Sequence, residues 1–395
     1  MLERLPPAPA DPILGLSEAF ARDPRPDKIN LSVGVYQDEE GRTPVLECVK
    51  RAQRRLLEGE ETKSYLAIDG LASFRQLVPR LVLGHIVPVE LTATVQTPGG
   101  TAALRVAAEL IRRHFPDARI WCSEPTWANH PNVFQAAGLE VRYYTYADPT
   151  GVMLDFDGLV CSLDRARPGD VVCLHACCHN PTGLDLEPGQ WRVLAERLRE
   201  RSLLPLVDFA YQGFAEGLVE DATGIRELVR AGLEILIASS FSKNFGLYAE
   251  RVGALTLVAQ TSEAVQAAVS QVKAVIRSNY SNPPKHGGAI VATVLADEEL
   301  TQIWEREVEQ MRERIQRMRE LFVATLAAKG VTKDFSFLLR QRGMFSYSGL
   351  SLAAVERLRT EYGIYIVGSG RINVAGMRTA TMDRLCTAIA AVLEN

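Results

Sequence analysis

Between residues 93 and 258 the chain alternates short apolar runs with stretches whose apolar positions recur every three or four residues. The runs at 93–97, 118–123, 171–176, 204–208, 235–239 and 253–258 read as buried strands. Amphipathic patterns such as 101–115 and 190–201 read as the helices between them. Strand and helix alternating in this way predict an α/β fold whose mostly parallel sheet is flanked by helices. A long amphipathic pattern follows at 298–329, with Gly330 as its stop. Beyond it, segments 335–339 and 344–347, a helix at 351–362, the strand-like IYIV and RINVA segments and a last helix from about Thr379 predict a smaller α+β lobe. The expected division is residues 1–45 as an N-terminal segment joining the small domain, 46–300 as the large domain, and 301–395 as the small C-terminal domain. The long helix is the connector. No repeat or low-complexity stretch interrupts this plan.

Composition narrows the function classes. With 44 basic and 48 acidic residues the net charge is −4, which gives no support to nucleic-acid or membrane-surface binding. No apolar run approaches the roughly 18 residues that span a bilayer. The N-terminal MLERLPPAPADP lacks the apolar centre of a secretory signal. Seven scattered cysteines, an odd number, argue against a disulfide framework and for a reducing cytoplasm.

Polar residues gather where the expected strands end: Gly99, Trp127, Asn180, Asp208 and Lys243. Open α/β sheets bind ligands at that edge. Lys243 follows an apolar strand within SSFSKNFGLYAERVGA, and an amine there can form a Schiff base with an aldehyde cofactor if its pKa is depressed. Ser240, Ser242 and Arg251 of the same segment offer two hydroxyls and a guanidinium fork to a phosphate. The TPGGTAALR segment sets Gly99 and Gly100 before a helix starting at Thr101, whose free N–H groups and dipole suit an anion; a plain glycine turn is the ordinary alternative. Asp208 ends an apolar strand, where a carboxylate is costly without a cationic partner. A protonated pyridine nitrogen is one such partner and a helix N-cap the other reading. HACCHNPTG, residues 175–183, tempts toward zinc, but adjacent cysteines do not have the usual ligand spacing and no second ligand cluster appears, so no metal is expected. Asn180–Pro181 reads as a rigid turn that holds an amide toward a ligand.

Taken together, SSFSKNFGLYAERVGA, HACCHNPTG, VDFAYQGF, TPGGTAALR, PTWANH and GRINVAGM resemble the fold-type I aminotransferases of the aspartate and aromatic amino acid group. The likeness runs from DPILGLSEAF to the last helix. It implies pyridoxal 5′-phosphate as cofactor, with Lys243 as the Schiff-base lysine and proton shuttle. Asp208, backed by His130, would pair with the pyridine nitrogen. Tyr211 and Asn180 would hold the phenolic oxygen, and Trp127 would stack on the ring. Gly100, Thr101, Ser240, Ser242 and Arg251 would cradle the phosphate, with Tyr65 reaching in from the other subunit of a homodimer. Arg371, helped by the backbone at Gly34, would clamp the substrate α-carboxylate, and Arg277 would cross the interface to a side-chain carboxylate.

The implied reaction is ping-pong exchange of amino groups between L-aspartate or L-glutamate and 2-oxo acids. Val35, Thr43, Thr101 and Asn282 fit the aspartate pattern, whereas Gln37 and Ser64 stand where lysine and asparagine are usual. Aromatic or dual specificity is therefore the alternative. Rivals of another class are a pyridoxal-phosphate-dependent β-lyase and a non-catalytic protein of the same fold.

Overall fold

A computed structural model of the protein describes residues 1–6 and 14–393; the proline-rich stretch 7–13, with the start of DPILGLSEAF, and the last two residues lie outside the described residues. The strands are β1 (Ile29–Asn30), β2 (Thr92–Pro98), β3 (Arg119–Glu124), β4 (Glu140–Thr145), β5 (Val171–His175), β6 (Leu204–Phe209), β7 (Ile235–Ser240), β8 (Val252–Val258), β9 (Phe345–Tyr347), β10 (Ile364–Tyr365) and β11 (Arg371–Asn373). Seven form one sheet in the order β2-β8-β7-β6-β5-β3-β4. All neighbours in it run parallel except β8, which is antiparallel to both β2 and β7. The sheet is thus mostly parallel, as expected, with β8 as the exception. A short connection carrying Lys243 and Arg251 turns straight from β7 into β8, which parallel strands could not accommodate.

The sheet is buried on both faces, and the two-residue strand period sorts its side chains between two helical layers. Val172, Leu174, Val207, Phe209, Ile235 and Ile237 pack with Trp191, Leu194, Ile225 and Leu228 from helices 188–200 and 223–230. Val171, Cys173, Leu206, Leu236 and Ala238 face the other way, onto Ala103, Leu104, Val272 and Ile276 from helices 100–114 and 262–279. Burial on both faces explains why these strands read as continuous apolar runs. Strand β4 escaped the sequence reading for the opposite reason. It is the sheet edge, Glu140 and Tyr143 are exposed, and its sequence EVRYYT has no apolar run.

The long helix spans Glu298–Ala328, capped by Asp297, whose carboxylate accepts the Leu300 N–H at 2.9 Å. Gly330 follows with φ +75°, the left-handed turn that ends a helix cheaply only at glycine. Past it, 336–340 is a 3₁₀ turn, and β9 pairs antiparallel with β11. The IYIV strand is only two residues long, and RINVA leaves its strand after Asn373 for another 3₁₀ turn. Strand β1 pairs in parallel with β10, and the Asn373 N–H donates to the Leu31 carbonyl at 2.8 Å, so the chain's early segment is stitched to its last hundred residues. Among the described residues, no helix is long and apolar enough to cross a membrane.

Candidate active site

The carboxyl ends of β5, β6 and β7 converge on a cavity of about 240 Å³. Asp208 enters it from β6, almost fully buried. Its Oδ2 lies 3.1 Å from Nε2 of His130, whose Nδ1 is in turn 2.8 Å from the Thr126 hydroxyl. Burial by itself would raise this carboxyl; the His130 contact and the nearby His175 and Lys243 outweigh it and hold the group below the usual carboxylate value. An ionised carboxylate with one side-chain partner is thus presented to the cavity.

Lys243 lies three residues beyond β7, its Nζ 4.8 Å from the centre of the Tyr211 ring. Burial lowers its pKa to about 8, with Arg251 pushing the same way and Asp208 opposing. About a tenth of this amine is therefore unprotonated at pH 7, far more than for an ordinary lysine, and the unprotonated form is what attack on an aldehyde requires. The Tyr211 hydroxyl accepts a hydrogen bond from Nδ2 of Asn180 at 3.2 Å, which leaves its own O–H to donate into the cavity. Burial pushes that phenol well above its ordinary pKa, so it stays a donor. Trp127 is half-buried at one side, edge-on to His130 with ring centres 5.3 Å apart.

Opposite these groups is an anion cradle. Helix Gly100–His114 starts at the cavity with no side chain capping its first turn, so its N–H groups remain available. Ser240, Ser242 and Arg251 close the other side; the Arg251 guanidinium donates to the Ser242 hydroxyl at 3.3 Å. The packing requires glycine. A Cβ on Gly99, at φ +84°, would lie 2.4 Å from Arg251 Nη2, and one on Gly253 would lie 2.4 Å from the Gly99 backbone. On the last wall Arg371, 5% exposed, donates to the Ser32 carbonyl at 2.6 Å and sits 4.3 Å above the Phe345 ring. Its Nε is buried and has no partner among the described residues. Gly34 approaches the same ring so closely that a Cβ would come within 2.7 Å of Phe345 Cζ.

The sequence-derived set therefore converges for Gly34, Gly100, Thr101, Trp127, Asn180, Asp208, Tyr211, Ser240, Ser242, Lys243, Arg251 and Arg371, all of which line this cavity. Tyr65 and Arg277 do not: Tyr65 is 93% exposed, and Arg277, also exposed, donates to the Ser281 hydroxyl. Four lining residues went unread: Leu104, Ala210, Tyr248 and Phe345. Tyr248, whose hydroxyl accepts the Tyr36 N–H at 2.9 Å, lies in the lysine segment itself and could have been suspected there. Phe345 gave no signal beyond the neighbouring glycines, because an apolar residue in a short strand reads as core.

Among the described residues, two buried groups hold metal-ligating atoms close together, His130–His175–Asp208 and Cys177–Cys178–Asp221. In the second, Asp221 accepts the backbone N–H groups of Gly213, Ala215, Glu216 and Gly217 and so is committed to a turn. In the first, Asp208 and His130 bond each other. The donor set fits pyridoxal phosphate instead: a cradle for its phosphate, a carboxylate for its ring nitrogen, a hydroxyl for its phenolic oxygen and a depressed amine for its aldehyde.

The comparisons with known proteins agree. The aminotransferase class I and II family matches residues 26–389. The chain is 56% identical to an aspartate aminotransferase of Salmonella typhi, over all of both chains. It is 49% identical to an aromatic-amino-acid aminotransferase of Pseudomonas aeruginosa, over 97% of each. A crystal structure of an aromatic-amino-acid aminotransferase from Burkholderia pseudomallei, covalently bound to pyridoxal phosphate, superimposes with a TM-score of 0.97 at 47% identity, covering 100% of this chain and 99% of that one. The chain belongs to the class I and II aminotransferases, and within them it is a pyridoxal-phosphate-dependent enzyme of the aspartate and aromatic amino acid group.

Proposed function

We propose that this aminotransferase works chiefly on L-aspartate and L-glutamate with 2-oxo acid partners, as a cytoplasmic homodimer whose two sites each borrow residues from the other subunit. The observation that carries the reading is a buried guanidinium with an unused face, Arg371, across one cavity from a depressed amine, Lys243. A cation held that way suits an α-carboxylate, and the amine lies where the substrate's α-carbon would follow.

Bound pyridoxal phosphate supplies the electron sink for bond breaking at that carbon. Arg371 orients the substrate through its carboxylate. Asp208 holds the ring nitrogen protonated, and Tyr211 with Asn180 donates toward the phenolic oxygen. Trp127 walls one face. Lys243 Nζ would take the substrate's α-proton and return it. Ser240, Ser242, Arg251, Gly100 and Thr101 retain the phosphate. The exposure of Tyr65 and Arg277 supports a partner-completed site, in which Tyr65 reaches the phosphate and Arg277 the substrate's second carboxylate. Seven unpaired cysteines support a reducing compartment. We divide the chain into 1–45, 46–300 and 301–395, a scheme supported by the β1–β10 pairing. Gln37 and Ser64, with the aromatic relatives, favour a secondary activity toward phenylalanine and tyrosine.

Steady-state kinetics of Arg277→Asp test the side-chain reading. kcat/KM for L-aspartate should drop by about 100-fold or more, the scale of losing a paired interfacial charge, while L-phenylalanine is little affected. An equal loss for both would show that Arg277 does not read the side-chain carboxylate.

A further inference from the structure

Arg371 is only as well placed as the surface beneath it. That surface is the ring of Phe345, which also meets Gly34 and stands edge-on to Tyr211, with ring centres 6.1 Å apart. Phe345 opens β9, which pairs with β11 through three residues only. A two-stranded ladder of that size is not rigid by itself. Something else must fix it.

The long helix does so through Arg319. This side chain is 1% exposed, among the largest fully buried ones in the protein. Its Nη1 donates to the Leu338 carbonyl at 3.4 Å and to the Ser346 hydroxyl. Its Nη2 donates to the carbonyls of Gly343 at 2.6 Å and Phe345 at 3.0 Å. No carboxylate is among these partners. Burial lowers its pKa to about 10, so the group remains a cation at neutral pH. Burying a charge without a counter-ion is expensive, and backbone carbonyls repay it only when several converge. All four acceptors lie in residues 338–346, the segment that delivers Phe345. Gly343, one of the gripped residues, is packed so closely on Cys178 that a Cβ would lie 2.3 Å from its Cβ, and Cys178 is two residues from Asn180. The clamp therefore touches the seat of Arg371 and the turn bearing Asn180, which lies 3.5 Å from Arg371 Nη1.

We propose that Arg319 is a positioning residue for recognition of the substrate α-carboxylate: its four-point grip on 338–346 sets Phe345, and Phe345 sets the Arg371 guanidinium. The inference rests on the role of Arg371 proposed above. Only a planar fork can serve several divergent acceptors at once; a lysine keeps the charge and loses that geometry.

The test compares Arg319→Lys with wild type and Arg371→Lys, each loaded with cofactor. Two readouts are needed: single-turnover half-reactions with L-phenylalanine and with 2-phenylethylamine, its carboxylate-free counterpart, and equilibrium binding of succinate, which has no amine to react. Arg319→Lys should weaken L-phenylalanine and succinate by about 10- to 100-fold, the scale of misplacing a binding group by up to an ångström. The rate with 2-phenylethylamine and the spectrum of the bound cofactor should stay at wild-type values. Amine and amino acid falling together would overturn the proposal, because a merely structural residue disturbs both. Should Arg371→Lys leave succinate binding intact, the underlying reading of Arg371 fails; if it weakens succinate and Arg319→Lys does not, only the present inference fails. If Arg319→Lys does not fold, Ser346→Ala removes one acceptor of the clamp. It should weaken succinate with no effect on 2-phenylethylamine, and unchanged succinate affinity would again overturn the proposal.

Discussion

Asp170 and Asp208 are both buried aspartates beside neighbouring parallel strands, at opposite ends of the sheet. Asp170 immediately precedes β5, at the amino end, and is saturated. Its carboxylate accepts from Arg119 Nε and Nη2, from the Trp121 indole at 2.9 Å, and from the N–H groups of Arg119 and Arg167. Asp208, near the carboxyl end of β6, has a single side-chain partner among the described residues, His130. Two buried arginines, Arg319 and Arg371, differ in the same way. Arg319 spends its donors on four acceptors, whereas Arg371 keeps Nε unpartnered. In these two pairs the charge away from the cavity is closed by the fold, and the charge facing the cavity is left partly open.

That contrast can be broken by substitution. Asp208→Ala should cost about 10⁴-fold in kcat, the scale seen when a buried aspartate that fixes its partner's protonation state is removed. The protein should still fold and bind cofactor, as absorbance and thermal melting would report. Asp170→Ala should do the reverse. Removing one partner of a buried ion pair costs roughly 3–5 kcal/mol of stability, measurable by urea unfolding, with kcat of the folded protein unchanged. If Asp170→Ala were as inactive as Asp208→Ala, the division would be wrong. A smaller effect follows from acid. Although burial alone would raise the Asp170 carboxyl, its hydrogen bonds to Arg119, Arg167 and Trp121 hold it below 3.8. Its contribution to stability is thus present above that value and lost as pH falls below it, and the Asp170→Ala variant should lack this component. The smallest effect concerns Lys243. With a pKa of about 8, the rate at which cofactor-free protein captures pyridoxal phosphate should rise as pH increases from 7 toward 8 and then level off. A rate climbing unchanged to pH 10 would mean that the amine is not depressed.

The sequence made the framework of the large domain legible because strands buried on both faces must be apolar throughout. It made the working charges legible because Asp208 and Lys243 interrupt that apolarity where strands end. Strand β4 was hidden by its exposed edge position. Tyr248 and Phe345 were hidden because a residue that shapes a cavity from behind looks like ordinary core. Arg319 was hidden too: in the amphipathic pattern of helix 298–328 an arginine reads as solvated, and only the fold reveals it as buried. The roles proposed for Tyr65 and Arg277 would be completed by a second chain, which periodicity within one chain cannot encode.

The central claim is that Lys243 carries the cofactor and the chemistry. It is tested most directly by an absorbance scan of the purified protein supplied with pyridoxal phosphate, wild type beside Lys243→Ala, before and after L-aspartate and then L-phenylalanine. Wild type should show a visible band that bleaches with L-aspartate at lower concentration than with L-phenylalanine and returns with 2-oxoglutarate. Lys243→Ala should lack that band and show no multiple turnover. A wild-type protein without the band, or a Lys243→Ala protein turning over near the wild-type rate, would contradict the account.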